Sequence, residues 1–188
     1  MYAEARRSLD EMRSAVGAAA ANARLPHDRF VIAAIEEAVD AAVEGNFGVG
    51  AVIVDPDGNI VERGHNHVFS PHFRSDIHAE MDVLTRFEEN NQDITSVGGY
   101  TLFTSLEPCP MCLTRLITAG LGRVYHAAPD TESGMVSRLD QLTPVWVDLA
   151  KDQEFSAADC SPELGELVLE VFLFTAVTNT ERLAERRR

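Results

Sequence analysis

Apolar positions along this chain of 188 residues fall into alternating helical and strand-like rhythms. Residues 2–23 are rich in Ala, Arg and Glu and lack proline, which predicts a helix outside the main pattern. Pro26 opens a second helix over 27–44, where Phe30, Ile32, Ala33, Ile35, Ala38, Val39, Ala42 and Val43 make an apolar stripe. Gly45 is its stop signal. Val49–Val54, the turn residues Asp55, Pro56, Asp57 and Gly58, then Ile60 and Val61 predict a β-hairpin. After a polar loop over 65–76, "IHAEMDVLTRFEEN" has helical periodicity, with Met81, Leu84 and Phe87 as core positions. Tyr100–Thr104 reads as a strand, 109–119 as a helix stopped by Gly120, and "GRVYHAA" as a fourth strand.

The order α-β-β-α-β-α-β predicts a layered α/β domain with helices on a mixed sheet. Beyond it the rhythm weakens. "GMVSRLDQL" reads as a short helix and 153–158 as an edge strand. Ser161 and Pro162 suit an N-cap and first turn, predicting a helix over 162–175, although "LVLEVFLFTAV" also fits a strand. No repeat or linker divides the chain. The expectation is one domain over 1–188, with a helical extension at 1–25, a core at 26–135 and carboxyl-terminal helices at 136–188 covering the substrate side.

Composition narrows the partners. There is no run of eighteen apolar residues and no basic-then-apolar amino terminus, so neither a membrane span nor a secretory signal is expected. Three cysteines argue against a disulfide scaffold and suit a reducing, cytoplasmic setting. Thirty acidic against sixteen basic residues give a net charge of −14, which disfavours a polyanionic nucleic acid and favours a small-molecule substrate. The dense basic run is Arg186–Arg188.

Cys109 and Cys112 stand one helical turn apart, directly after a predicted strand. That spacing serves a disulfide, a redox pair, half a structural zinc knuckle or a catalytic metal site. The choice turns on "HAE" upstream, followed after 27 residues by "PCPMC". His78 and Glu80, at i and i+2, cannot share a ligand along a helix flank, but they can share one lying off the first turn. Cys109 and Cys112 lie on one face of their own first turn. Both pairs therefore meet at helix amino termini, where the dipole favours thiolates. One imidazole and two thiolates leave the fourth tetrahedral position for water, the catalytic form of a zinc site, and Glu80 is placed to move protons.

"FGVGAVIVDPDGNIVERGHN", "HAEMDVL", "TLFTSLEPCPMC" and "AGLGRVYHAAPD" together resemble the cytidine deaminase superfamily, in its branch of guanine, cytosine and tRNA adenosine deaminases. The resemblance covers about residues 28–135. It implies a three-layer α-β-α fold with a central mixed sheet of about five strands, and a homodimer. It implies Zn2+ held by His78, Cys109 and Cys112, Glu80 as catalytic proton shuttle, and Asn66 as a substrate contact. The implied activity is hydrolytic removal of ammonia from a free nucleobase or nucleoside-like ring, with guanine the first choice and a place in purine metabolism. A tRNA adenosine deaminase is the alternative within the family. The chain departs from the family at "FRSDIHAE", where a proline and a small residue often precede the His.

A non-catalytic structural zinc module is the rival from another class; it needs Cys160 or a loop histidine as fourth ligand. Otherwise Cys160 reads as a small half-buried thiol, and His65, His67 and His72 as loop side chains, any one of which is a candidate for the substrate site. His126 reads as structural, and Asp76 as a brace or cap with a possible substrate role. Phe47 and Gly48 are candidates for close approach of the backbone to substrate. Phe155, Asp159 and "FLFTAV" are candidates by position for covering the ring.

Overall fold

The computed structural model describes residues 7–188, so the start of the helix expected over 2–23 lies outside them. The described part is α1 (Leu9–Ala20), opened by Ser8 and Glu11 in a reciprocal capping box. There follow α2 (Asp28–Val43), β1 (Gly50–Val54), β2 (Ile60–His65), α3 (Ala79–Asn90), β3 (Thr101–Leu106), α4 (Pro110–Ala119) and β4 (Arg123–Ala128). A 3-10 segment (Val136–Gln141), α5 (Pro144–Leu149), β5 (Glu154–Ala157) and α6 (Pro162–Glu185) complete the chain. The segment around 162–175 is thus helix rather than strand, and it runs ten residues further than its apolar part predicts.

One five-stranded mixed sheet, in the order β2-β1-β3-β4-β5, carries the fold. β1 pairs antiparallel with β2 and β3, while β3, β4 and β5 run parallel. β1 and β3 are buried along their whole length, which is why they read as unbroken apolar runs. The hairpin between β1 and β2 closes as expected. Gly58 takes positive φ, and the Asp55 carboxylate accepts the N–H groups of Asp57 and Asn59. Helices α1, α2 and α6 pack together on one side, and α3, α4 and α5 on the other, giving the expected α-β-α layering.

Two core assignments change. α2 is buried nearly all round, because Val31, Ala34 and Ala41 are also covered, whereas Val43 at its end is 54% exposed. In α3 it is Val83, not Met81, that joins Leu84 and Phe87 in the core. Gly48 marks a close approach to α6: a Cβ there would lie 2.6 Å from the Val171 carbonyl.

Asp28 ties the start of α2 to the start of α6. Its carboxylate accepts hydrogen bonds from the N–H groups of Arg24, Leu25 and Ser161 and from the Ser161 hydroxyl. Burial pushes its pKa up, but these four donors outweigh burial and hold it at about 2, below the ordinary 3.8. The stabilisation is complete above the ordinary value and disappears as pH falls through about 2. Asp28→Ala, which strands those donors, is expected to lower the unfolding free energy by about 3 kcal/mol, measured by urea denaturation at neutral pH.

Candidate active site

The antiparallel β1 brings its beginning beside the ends of β2 and β3. Phe47 and Val49 precede β1, Asn66 follows β2, Leu106 and Glu107 end β3, and Asp130 and Ser133 follow β4. These segments line a cleft of about 250 Å³, whose remaining wall is Phe172, Thr180 and Leu183 of α6. Sheet topology, rather than any local spacing, gathers them.

His78 and Cys109 reach the cleft from equivalent places. Each is the N-cap of its helix, with extended backbone, and neither side chain caps its own helix. Both are therefore free to point past the helix end. Pro110, at the first position of α4, needs no N–H partner there. Cys112, one turn on, is fully buried beneath.

The three donor atoms of His78, Cys109 and Cys112 lie within 4.8 Å of one another. His78 Nδ1 stands 3.6 Å from Cys109 Sγ and 3.5 Å from Cys112 Sγ. A tetrahedral zinc with ordinary bond lengths separates a nitrogen and a sulfur ligand by about 3.6 Å. The donor set and its spacing thus fit zinc. The thiols share charge: the hydrogen bond from Cys112 pulls the Cys109 pKa down to about 4, while that same bond and burial push Cys112 well up. Burial opposes a charged His78, but its hydrogen bond with Cys109 and that thiolate's charge raise its pKa nonetheless. Among the described residues, neither Cys160 nor any loop histidine joins this group. The structural module lacks its fourth protein ligand here.

Glu80, in the first turn of α3, is 3% exposed and lines the cleft beside these donors. Burial raises its carboxyl pKa, and the charge on Cys109 adds to the rise. Asn66 is buried as well. Its Oδ1 accepts the N–H of Val68 at 3.1 Å, and its Nδ2 makes no hydrogen bond among the described residues.

Sequence reasoning missed most of the remaining lining. Glu107 is one example: its carboxylate faces the cleft, yet it is occupied by the N–H groups of Asp130 and Ser137. Burial pushes its pKa up, but these backbone donors outweigh burial and hold it below the usual carboxylate range. It anchors the 130–137 loop. Phe172, from "FLFTAV", reaches the cleft; Phe155 packs in the core, and Asp159 instead donates its N–H to His27 Nδ1. Asp76 pairs with Arg74 at the surface. His65 and His67 flank Asn66 but lie outside the cleft, and His126 is buried in β4.

The family model for the "cytidine and deoxycytidylate deaminase zinc-binding region" matches residues 25–128, more than half the chain. A tRNA-specific adenosine deaminase of Bacillus subtilis is 34% identical over 114 residues, 58% of this chain and 66% of that one. A guanine deaminase of the same species is 34% identical over 115 residues, 57% of this chain and 67% of that one. About a third of each relative therefore lies outside the match. A solved structure from work on A-to-I editing by tRNA:A34 deaminases aligns with TM-score 0.64 at 24% identity, covering 76% of this chain and 98% of that one, a likeness of fold. No helix among the described residues is long and apolar enough to cross a membrane. The chain belongs to the cytidine and deoxycytidylate deaminase family.

Proposed function

We propose that the chain removes an exocyclic amine from a nitrogen heterocycle by hydrolysis, with guanine or a similar free base as substrate. The observation that carries this is the buried Glu80 carboxylate, set beside His78, Cys109 and Cys112 on the floor of a cleft of only about 250 Å³. That volume lies below the usual range of about 300–1,000 Å³ for drug-sized ligands, and suits a single small ring system.

In this reading His78, Cys109 and Cys112 hold zinc, which when bound supplies the Lewis acidity that makes water nucleophilic near neutral pH. The chain's own groups do the rest. Glu80, with its pKa raised by burial, is tuned to accept a proton from water and return it to a ring nitrogen and then to the departing amine. Asn66 is oriented by the Val68 N–H so that Nδ2 can donate to an oxygen of the ring or sugar. α6 covers the bound ring, excluding bulk water. Asn66→Ala is expected to lower kcat/KM about 10- to 100-fold with zinc content unchanged, as steady-state kinetics and metal analysis would report.

A second reading, deamination of adenosine within tRNA, has its own observation. Phe172, Phe47, Phe69 and Phe73 form a file of neighbouring rings leading out of the cleft, with centroids 5.8–6.3 Å apart. Arg182 lies over Phe69 and Arg186 over Phe73. Aromatic and guanidinium faces of this kind stack unpaired bases.

An ammonia-release screen of the zinc-loaded protein separates the two. It should include guanine, cytosine, adenine, their nucleosides and an anticodon stem-loop containing adenosine. Turnover of a free base or nucleoside supports the first reading. Salt-sensitive turnover of the stem-loop alone replaces it with the second.

A further inference from the structure

Outside the lining of the cleft, at the end of β2, a second group of metal-binding side chains comes together. His65 ends β2, His67 follows two residues later, and Glu44 is the C-cap of α2. Their donor atoms all lie within 4.8 Å of one another. The Glu44 Oε2 atom stands 3.5 Å from His65 Nε2 and 3.5 Å from His67 Nδ1. Two nitrogen or oxygen ligands on one tetrahedral zinc are separated by about 3.4 Å, so one carboxylate oxygen and both imidazoles are spaced for a common ion.

The rear of each ring is backed by a further carboxylate. His65 Nδ1 hydrogen-bonds Glu37 Oε2 at 2.9 Å, which in the neutral ring leaves the lone pair on Nε2. That Nε2 is buried, and its neighbour Glu44 Oε2 at 3.5 Å does not make a well-formed hydrogen bond with it, although its donor or acceptor capacity ought to be used. His67 Nε2 faces Asp82 Oδ2 at 3.7 Å. Carboxylates behind the ligating rings are the usual means by which proteins orient imidazoles on a metal. Arg63 lies 4.0 Å from Glu37 and Arg86 3.2 Å from Asp82, so two of the three carboxylates have cationic neighbours of their own. Glu44 is partly exposed, which leaves an entry path.

We propose that His65, His67 and Glu44 form a second divalent-metal site, for a first-row cation such as zinc, separate from the group at His78. Imidazole and carboxylate donors without sulfur suit such ions. An ion there ties the end of α2 to the end of β2, on either side of Asn66, with α3 as backing. The site does not depend on which reaction the cleft performs.

The test is metal counting on the full chain. Protein equilibrated with zinc and passed through a desalting column is expected to retain two equivalents. His65→Ala/His67→Ala should retain one and still melt cooperatively, and Cys112→Ser should also retain one. Glu44→Gln, a substitution at an exposed helix end, should weaken the second equivalent at least tenfold. Filled with cobalt, the second equivalent should add visible d–d bands without the near-ultraviolet thiolate band of the first. One equivalent in the wild type, or two retained by both the double-histidine variant and Glu44→Gln, would overturn the proposal.

Discussion

Glu80→Gln is expected to lower kcat by about 10³-fold or more while leaving zinc content unchanged. The amide keeps the size and much of the hydrogen bonding of the carboxylate but cannot carry the proton. Stability supplies the control. Glu80 is buried and its pKa is raised first by that burial, so its ionised form is disfavoured in the folded protein. A carboxyl whose folded pKa lies above its unfolded value weakens the fold at neutral pH; that penalty begins to shrink as pH falls through the folded value and is gone only below the unfolded one. Glu80→Gln should therefore melt at the wild-type temperature or above it, in a thermal scan of the two metal-free proteins at pH 7. A large drop in Tm together with lost activity would instead mark Glu80 as a packing residue.

The second large effect is expected at Cys112. Cys112→Ser should abolish tight zinc binding at the His78 group and bring turnover to background. The protein should nevertheless remain folded. Its sheet and the helices on both sides bury one extensive apolar cluster that does not depend on the metal, unlike a zinc finger, which unfolds without it. Zinc added to the wild type after chelation should raise Tm by mass action. In Cys112→Ser the rise from this site should vanish. If chelation unfolds the wild type outright, the metal is holding the fold together and the structural reading regains its ground.

The layered core was legible because its signals are local. The stripe of α2, the Asp-Pro-Asp-Gly turn and the runs of β1 and β3 each announce themselves within a dozen residues. So did the group of His78, Glu80, Cys109 and Cys112, since two short spacings at two helix starts carry it. The end of the chain was harder. α5 is only six residues long and has no buried side chain, so "PVWVDL" offers no periodicity to detect. α6 continues past its apolar part because Asn179 is buried and Arg182 donates to the Gly45 carbonyl, polar contacts that leave no hydrophobic rhythm.

The cleft wall was largely invisible for a different reason. Phe47 and the segment holding Phe172 were candidates by position alone, and Leu106 and Glu107 were not singled out; these residues come from three separate segments and meet only when the sheet forms. Glu107 does stand just before "PCPMC", but nothing in that position distinguishes a loop anchor from a reacting group. His65 and His67 likewise read as solvated loop residues until α2 sets Glu37 and Glu44 against them.

The most direct test of hydrolytic deamination in the cleft follows oxygen. Zinc-loaded protein would turn over its responding heterocycle in water enriched in oxygen-18, with ammonia and product mass measured together. One oxygen-18 atom is expected in the product for each ammonia released, at the ring carbon that lost the amine, with loss of both signals in Glu80→Gln. Ammonia release without matching oxygen-18 in the product, or turnover undiminished in Glu80→Gln, would contradict it.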